Sequence, residues 1–134
     1  MTAGQRVARL PFQVLSSVYV LMLYAQPTLM GLFLGGDFDR LADHALVGGL
    51  AAGTALFLAG ASVLAWRPGG LPGGVVVASG MLFVATGVQV GAGYSRNLGL
   101  HVPMGVTLAA GGLALAYQAW RPRPAPAPPA VRAR

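Results

Sequence analysis

The stretch Asp37-Phe-Asp-Arg40-Leu-Ala-Asp43-His44-Ala-Leu-Val-Gly48 runs without a break into Gly-Leu-Ala-Ala-Gly-Thr-Ala-Leu-Phe-Leu-Ala-Gly-Ala-Ser-Val-Leu-Ala-Trp66. Its first part holds all three acidic residues of the chain, and from Ala45 to Trp66 there is no charge at all. An uncharged apolar run of this length is what a bilayer-spanning helix needs. Arg67-Pro-Gly-Gly-Leu-Pro-Gly-Gly74 follows and ends it with a cluster of turn residues.

Working outward, three further spans have the same character. Residues 11–34 read as a first membrane helix, with Pro11 in its first turn and Pro27 as an internal kink. No small-x-small cleavage site follows, so the segment reads as a retained span rather than a secretory leader. Residues 35–42 read as a short loop. The second helix then covers 43–66, with Asp43 or Asp39 as its amino-terminal cap. Residues 74–94 and 98–120 form the third and fourth spans, joined by Ser95-Arg96-Asn97. Each span measures about 31–36 Å at 1.5 Å per residue. The expected fold is therefore all-α: a four-transmembrane-helix, up-down-up-down bundle over residues 1–120. Residues 121–134 are rich in proline and arginine, and read as a disordered basic tail in the cytoplasm.

Composition agrees with a membrane protein. Hydrophobic residues make up 55% of the chain, charged residues only 9%, and mean hydropathy is +0.65. The net charge of +6 flanks the apolar spans, which points to a lipid bilayer as the partner and not to nucleic acid. Arg6, Arg9, Arg67, Arg121, Arg123, Arg132 and Arg134 fall on one side of the predicted topology, Arg40 and Arg96 on the other. The positive-inside rule then places both termini in the cytoplasm of a multi-pass inner (plasma) membrane protein. Cysteine is absent, which excludes disulfides, thiolate metal sites and thiol catalysis. Neither glutamate nor lysine occurs, and no serine is paired with an oriented base, so self-contained enzyme chemistry is disfavoured.

The opening stretch has an echo in Arg96-Asn-Leu-Gly-Leu-His101-Val-Pro-Met-Gly105. Gln26 matches Gln89, Arg40 matches Arg96, His44 matches His101, and Gly48 matches Gly105. The register is imperfect, because 18 residues separate Gln26 from His44 and 12 separate Gln89 from His101. The pattern still predicts two similar hairpins related by an axis along the membrane normal. It places the two histidines at matching height on diagonal helices.

A b-type haem fits these parts. His44 and His101 would be its axial metal ligands. Gly48 and Gly105, one turn along, would admit the porphyrin edge, and Arg40 and Arg96 would pair with the propionates. Gln26 and Gln89 would support the imidazoles. With both axial positions filled, the implied activity is electron transfer. Three other readings stand beside it. The histidines and glutamines could form a structural polar cluster in a non-catalytic membrane module, either a small transporter or a subunit of a larger complex. They could serve a proton-linked role. With Asp37, Asp39 and Asp43 they could form a bare metal site, although the spacing matches no metal signature. Gly31/Gly35, Gly49/Gly53 and Gly87/Gly91 are small-x-x-x-small pairs, expected to pack helices within the bundle or in a homo-oligomer.

Gln26-Pro-Thr-Leu-Met-Gly31-Leu-Phe, His44-Ala-Leu-Val-Gly48, Gln89 and Leu100-His101-Val-Pro103 resemble the motifs of a family of small bacterial four-helix integral membrane proteins of unknown function. The resemblance spans roughly residues 15–120 and rests on short motifs. Val102 departs from it, since the family pattern has proline directly after the second histidine. The family implies no activity. Its histidine placement is similar to that of membrane cytochromes b in architecture only.

Overall fold

The computed structural model describes residues 1–122. Residues 123–134, most of the predicted tail, lie outside the described residues. Four helices follow in order: α1 (Ala3–Leu34), α2 (Arg40–Trp66), α3 (Gly74–Tyr94) and α4 (Leu98–Trp120). All four are long and apolar enough to cross a membrane.

Two helix starts differ from expectation. α1 begins at Ala3, not at Pro11, because Thr2 and Gln5 form a capping box. Gln5 N donates to Thr2 Oγ1 at 3.2 Å, and Thr2 N donates to Gln5 Oε1 at 3.0 Å. The helix then continues through both Pro11 and Pro27. α2 begins at Arg40, not at Asp43. Asp39 stands at the N-cap position, but no side chain caps the helix there. Instead the turn is held by Arg40, which bonds Asp37 at 2.8 Å and Asp43 at 2.5 Å. α3 and α4 have the expected bounds. Asn97 caps α4 by accepting from Leu100 N at 3.2 Å.

α1 packs against α2 and α4, and α3 packs against the same two, so α1/α3 and α2/α4 are the diagonal pairs. The interior is filled by Phe12, Tyr19 and Leu23 of α1, Ala51, Ala55 and Leu58 of α2, Val75 of α3, and Leu108 and Leu115 of α4. The outer surface is apolar too, with Leu21, Phe57, Met81 and Val106 all exposed. Exposed apolar side chains on every helix suit a hydrocarbon surround.

One end of the bundle is tied by polar contacts to main chain and hydroxyl groups. Buried Arg9 donates from Nε to Gly69 O at 2.6 Å, in the α2–α3 connection. Gln13 Nε2 donates to Ala119 O at 3.1 Å, and Trp120 Nε1 to Ser17 Oγ at 3.0 Å. The small-x-x-x-small pairs do not make the close contacts inside the chain. A methyl group added at Gly31, Gly49, Gly53, Gly87 or Gly91 would meet no atom within 4 Å beyond the adjoining backbone of its own helix. The close approaches are elsewhere: at Gly112, a methyl group would stand 3.0 Å from Leu23 and 3.3 Å from Tyr19.

Candidate functional site

At the other end, the first turns of α2 and α4 carry His44 and His101. Their rings come together across the bundle, with centroids 6.0 Å apart and planes inclined at 55°. Both are partly buried. Each imidazole is anchored by the helix next to it. His101 Nδ1 lies 2.9 Å from the main-chain oxygen of Gln89 on α3, and His44 Nδ1 lies 3.3 Å from that of Gln26 on α1. A carbonyl can only accept, so in each of these contacts Nδ1 would carry the proton.

The glutamine side chains pack on the glycines one turn beyond the histidines. At Gly105 an added methyl group would sit 3.0 Å from Gln89 Nε2, and at Gly48 it would sit 3.8 Å from the Gln26 amide. The room expected for a porphyrin edge is thus taken here by amides. Gln26 has one amide orientation in which both of its atoms find partners. Its oxygen then accepts from Gly48 N at 2.9 Å, and its nitrogen lies against His44 O at 3.2 Å and against both ring nitrogens of His44, Nδ1 at 2.7 Å and Nε2 at 3.2 Å. Glycine at position 48 leaves the α2 main chain open to that approach. Gln89 is placed alike, but its Oε1 is buried with no hydrogen-bond donor among the described residues. A buried orphan acceptor is uncommon and costs roughly 1–3 kcal/mol.

The two arginines differ. Arg40 is occupied by Asp37 and Asp43. Arg96 is exposed in the α3–α4 turn, has φ +57°, and makes no side-chain hydrogen bond or ion pair among the described residues. The aspartates do not complete a metal site. Among the described residues there is no group of three or more His, Cys, Asp or Glu side chains placed to hold an ion.

Two features escaped the sequence reading. The first is Gly93, where a methyl group would stand 2.9 Å from His101 Cε1 and 3.1 Å from its Nδ1. Its signal was position: it follows Gln89 by four residues, so its missing side chain bares the carbonyl that holds His101. The second is a buried pair deeper in the bundle. Tyr19 Oη and Thr86 Oγ1 lie 2.6 Å apart, and Thr86 Oγ1 donates to Leu82 O at 2.7 Å.

Two imidazoles bound to one metal stand about 6 Å centre to centre, given metal–nitrogen bonds of about 2 Å and a ring radius of about 1.1 Å. The separation of His44 and His101 suits that arrangement. Two protein donors do not complete a zinc or copper site, but they do complete a haem, whose macrocycle brings four nitrogens of its own. The Gln26 and Gln89 amides, however, occupy the space at Gly48 and Gly105 that a macrocycle would need. No protein-family model, curated protein or solved structure matches the chain.

Proposed function

We propose that this is a multi-pass inner-membrane protein that holds one b-type haem between His44 and His101 and transfers electrons. In this reading the helices run up-down-up-down with both termini in the cytoplasm, and the histidines lie toward the outer face. The single observation that carries it is the 6.0 Å approach of two imidazoles from diagonal helices, each with Nδ1 turned to a main-chain carbonyl. At His101 an Nδ1–H bonded to a carbonyl leaves the Nε2 lone pair free for a metal and stiffens the ring; at His44 the Gln26 amide lies against both ring nitrogens and has to move first. When bound, the haem supplies one-electron exchange between ferric and ferrous iron.

The chain's own residues orient and insulate. The carbonyls of Gln26 and Gln89 hold the imidazoles. Arg96 is available for a propionate, whereas at Arg40 a propionate must compete with Asp37 and Asp43. Ala51, Leu108 and Leu23 exclude water from below. The Gln26 and Gln89 amides have to turn aside from Gly48 and Gly105 for a macrocycle edge to enter.

A second reading is favoured by one observation: the hydrogen bonds of Gln26 close within the protein. His44, His101 and the glutamines would then be a sealed polar cluster in a small transporter or a subunit of a larger membrane complex. Absorption spectroscopy separates the two. Protein purified from haem-sufficient cells, or titrated with hemin, is expected to show a Soret band that shifts on reduction with dithionite. A colourless protein that takes up no hemin would leave only the sealed cluster.

A further inference from the structure

At the Arg9 end, α1 outreaches its neighbour α4. Gln13 Nε2 donates to Ala119 O at 3.1 Å, so these two residues stand close to one level. From there α4 ends at the next residue, Trp120, whereas α1 runs on from Gln13 to Ala3, about 15 Å at 1.5 Å per residue. The α2–α3 connection meets those first turns on their Arg9 side, where Arg9 Nε donates to Gly69 O. Arg6, Leu10 and Gln13 repeat at helical spacing on the α4 side. With Met1 and Val7 they line an open groove.

The groove has two chemical parts. Val7 and Leu10, 72% and 53% exposed, form an apolar wall. Arg6 is exposed and has no hydrogen-bond or ion-pair partner among the described residues. Other arginines at this end are engaged: Arg9 is buried on Gly69 O, and Arg67 lies over the Trp66 ring, 4.3 Å from its centroid. Arg121 directly follows Trp120, whose indole donates to Ser17, one turn beyond Gln13 on α1. No acidic side chain is present to neutralise Arg6, because all three aspartates lie at the histidine end and residues 123–134 contain none. α1 has 32 residues, about 48 Å of helix, against a hydrocarbon core of about 30 Å. Its first turns therefore stand at headgroup depth. A guanidinium beside an apolar wall at that depth matches a molecule that carries a phosphate above an acyl chain.

We infer that this groove binds one anionic phospholipid, with its phosphate on Arg6, its upper acyl chain along Val7 and Leu10, and Arg121 as a second cation at the α4 edge. The inference stands on the membrane-spanning fold and does not depend on what the histidine end holds.

Native mass spectrometry of the full-length chain, equilibrated with phosphatidylglycerol and phosphatidylcholine of the same chain length, tests it. The wild type is expected to retain phosphatidylglycerol about fivefold or more over phosphatidylcholine, the effect of one arginine at a lipid surface. Arg6→Gln should bring that ratio close to one, and Arg121→Gln should fall between. Arg67→Gln removes the same charge from the same end, but from a side chain stacked on Trp66, and should leave the ratio unchanged. A second measurement leaves every arginine in place. In Trp66→Phe the sole remaining indole is Trp120, and dibrominated phosphatidylglycerol should quench it more than equally brominated phosphatidylcholine. Excess glycerol phosphate should not displace the lipid, since it has no chain to lay on the wall.

Equal retention of the two lipids by the wild type overturns the inference, and so does equal quenching of Trp120. A loss in Arg67→Gln as large as that in Arg6→Gln overturns it in favour of diffuse surface charge. Displacement by glycerol phosphate overturns it in favour of a plain anion site.

Discussion

Tyr19 and Thr86 join α1 to α3 through the centre of the bundle, and the direction of their hydrogen bond predicts an asymmetry between two mutations. A threonine hydroxyl has one proton. Thr86 spends it on Leu82 O at 2.7 Å, so the 2.6 Å contact requires Tyr19 to donate. Tyr19 is fully buried and Thr86 nearly so. Tyr19→Phe removes the donor and leaves Thr86 with its own bond to Leu82 intact. The cost should be near the average for one hydrogen bond between membrane helices, about 0.6 kcal/mol. Thr86→Val is similar in size to the residue it replaces, but it strands the Tyr19 hydroxyl in a dry interior. An unmade buried bond costs roughly 1–3 kcal/mol. The double variant removes both partners, so it should lie closer to Tyr19→Phe than to the sum, with a coupling of about 1 kcal/mol. Equilibrium unfolding in mixed micelles, followed by circular dichroism, measures all four proteins on one scale. If Thr86→Val costs no more than Tyr19→Phe, or if the double variant is additive, the assigned direction of the bond is wrong.

Three more outcomes follow from the site and the turns. Gly105→Ala should weaken hemin binding several-fold and Gly48→Ala should not, since the added methyl group meets the glutamine amide at 3.0 Å in one case and 3.8 Å in the other; equal effects in a hemin titration would show that the amides are not seated on the glycines. Arg96→Asn keeps a residue type that tolerates φ +57° while removing the charge. It should lower hemin affinity roughly threefold at low ionic strength and much less in concentrated salt, where an exposed pair is screened; an unchanged salt series would remove Arg96 from the site. Gly70→Ala forces an L side chain to φ +70° and should destabilise the protein by about 1–2 kcal/mol in the same unfolding assay, so an unaltered midpoint would contradict the left-handed turn.

The four spans were legible because apolar length is a one-dimensional property. The ends of α3 and α4 were legible for a similar reason: the Pro/Gly run before Gly74 and the cap at Asn97 act locally. The start of α1 was misread because Pro11 looked like a first-turn residue, while the Thr2/Gln5 box stood further upstream. The matching height of His44 and His101 followed from the repeat. Its details did not. Spacing says which residues share a helix face, but not which face turns inward. Within the chain, the close contacts expected of the glycine pairs at four-residue spacing are therefore made by Gly93, Gly105, Gly111 and Gly112. The pairing of Arg40 with Asp37 and Asp43 could have been anticipated from i,i+3 spacing on either side of it.

The two ends of the bundle contain similar amounts of polar chemistry but use it differently. At the Arg9 end, guanidinium, amide and indole groups are committed to main-chain and hydroxyl oxygens, and the result is a clamp on the loop and helix ends. At the histidine end, three elements depend on one another within each half. A glycine bares the helix main chain, a glutamine amide from the next helix packs onto it, and the main-chain carbonyl of that same glutamine orients the imidazole. If such a unit served only to bind the helices together, its hydrogen-bonding capacity should be used up, as it is at Arg9's end. Instead Gln89 Oε1 is left buried without a donor, and the Nε2 of His101 makes no hydrogen bond among the described residues. A buried acceptor without a donor is costly to keep. A hydrogen-bond donor brought to Gln89 Oε1 would offset that cost, and the described residues supply none.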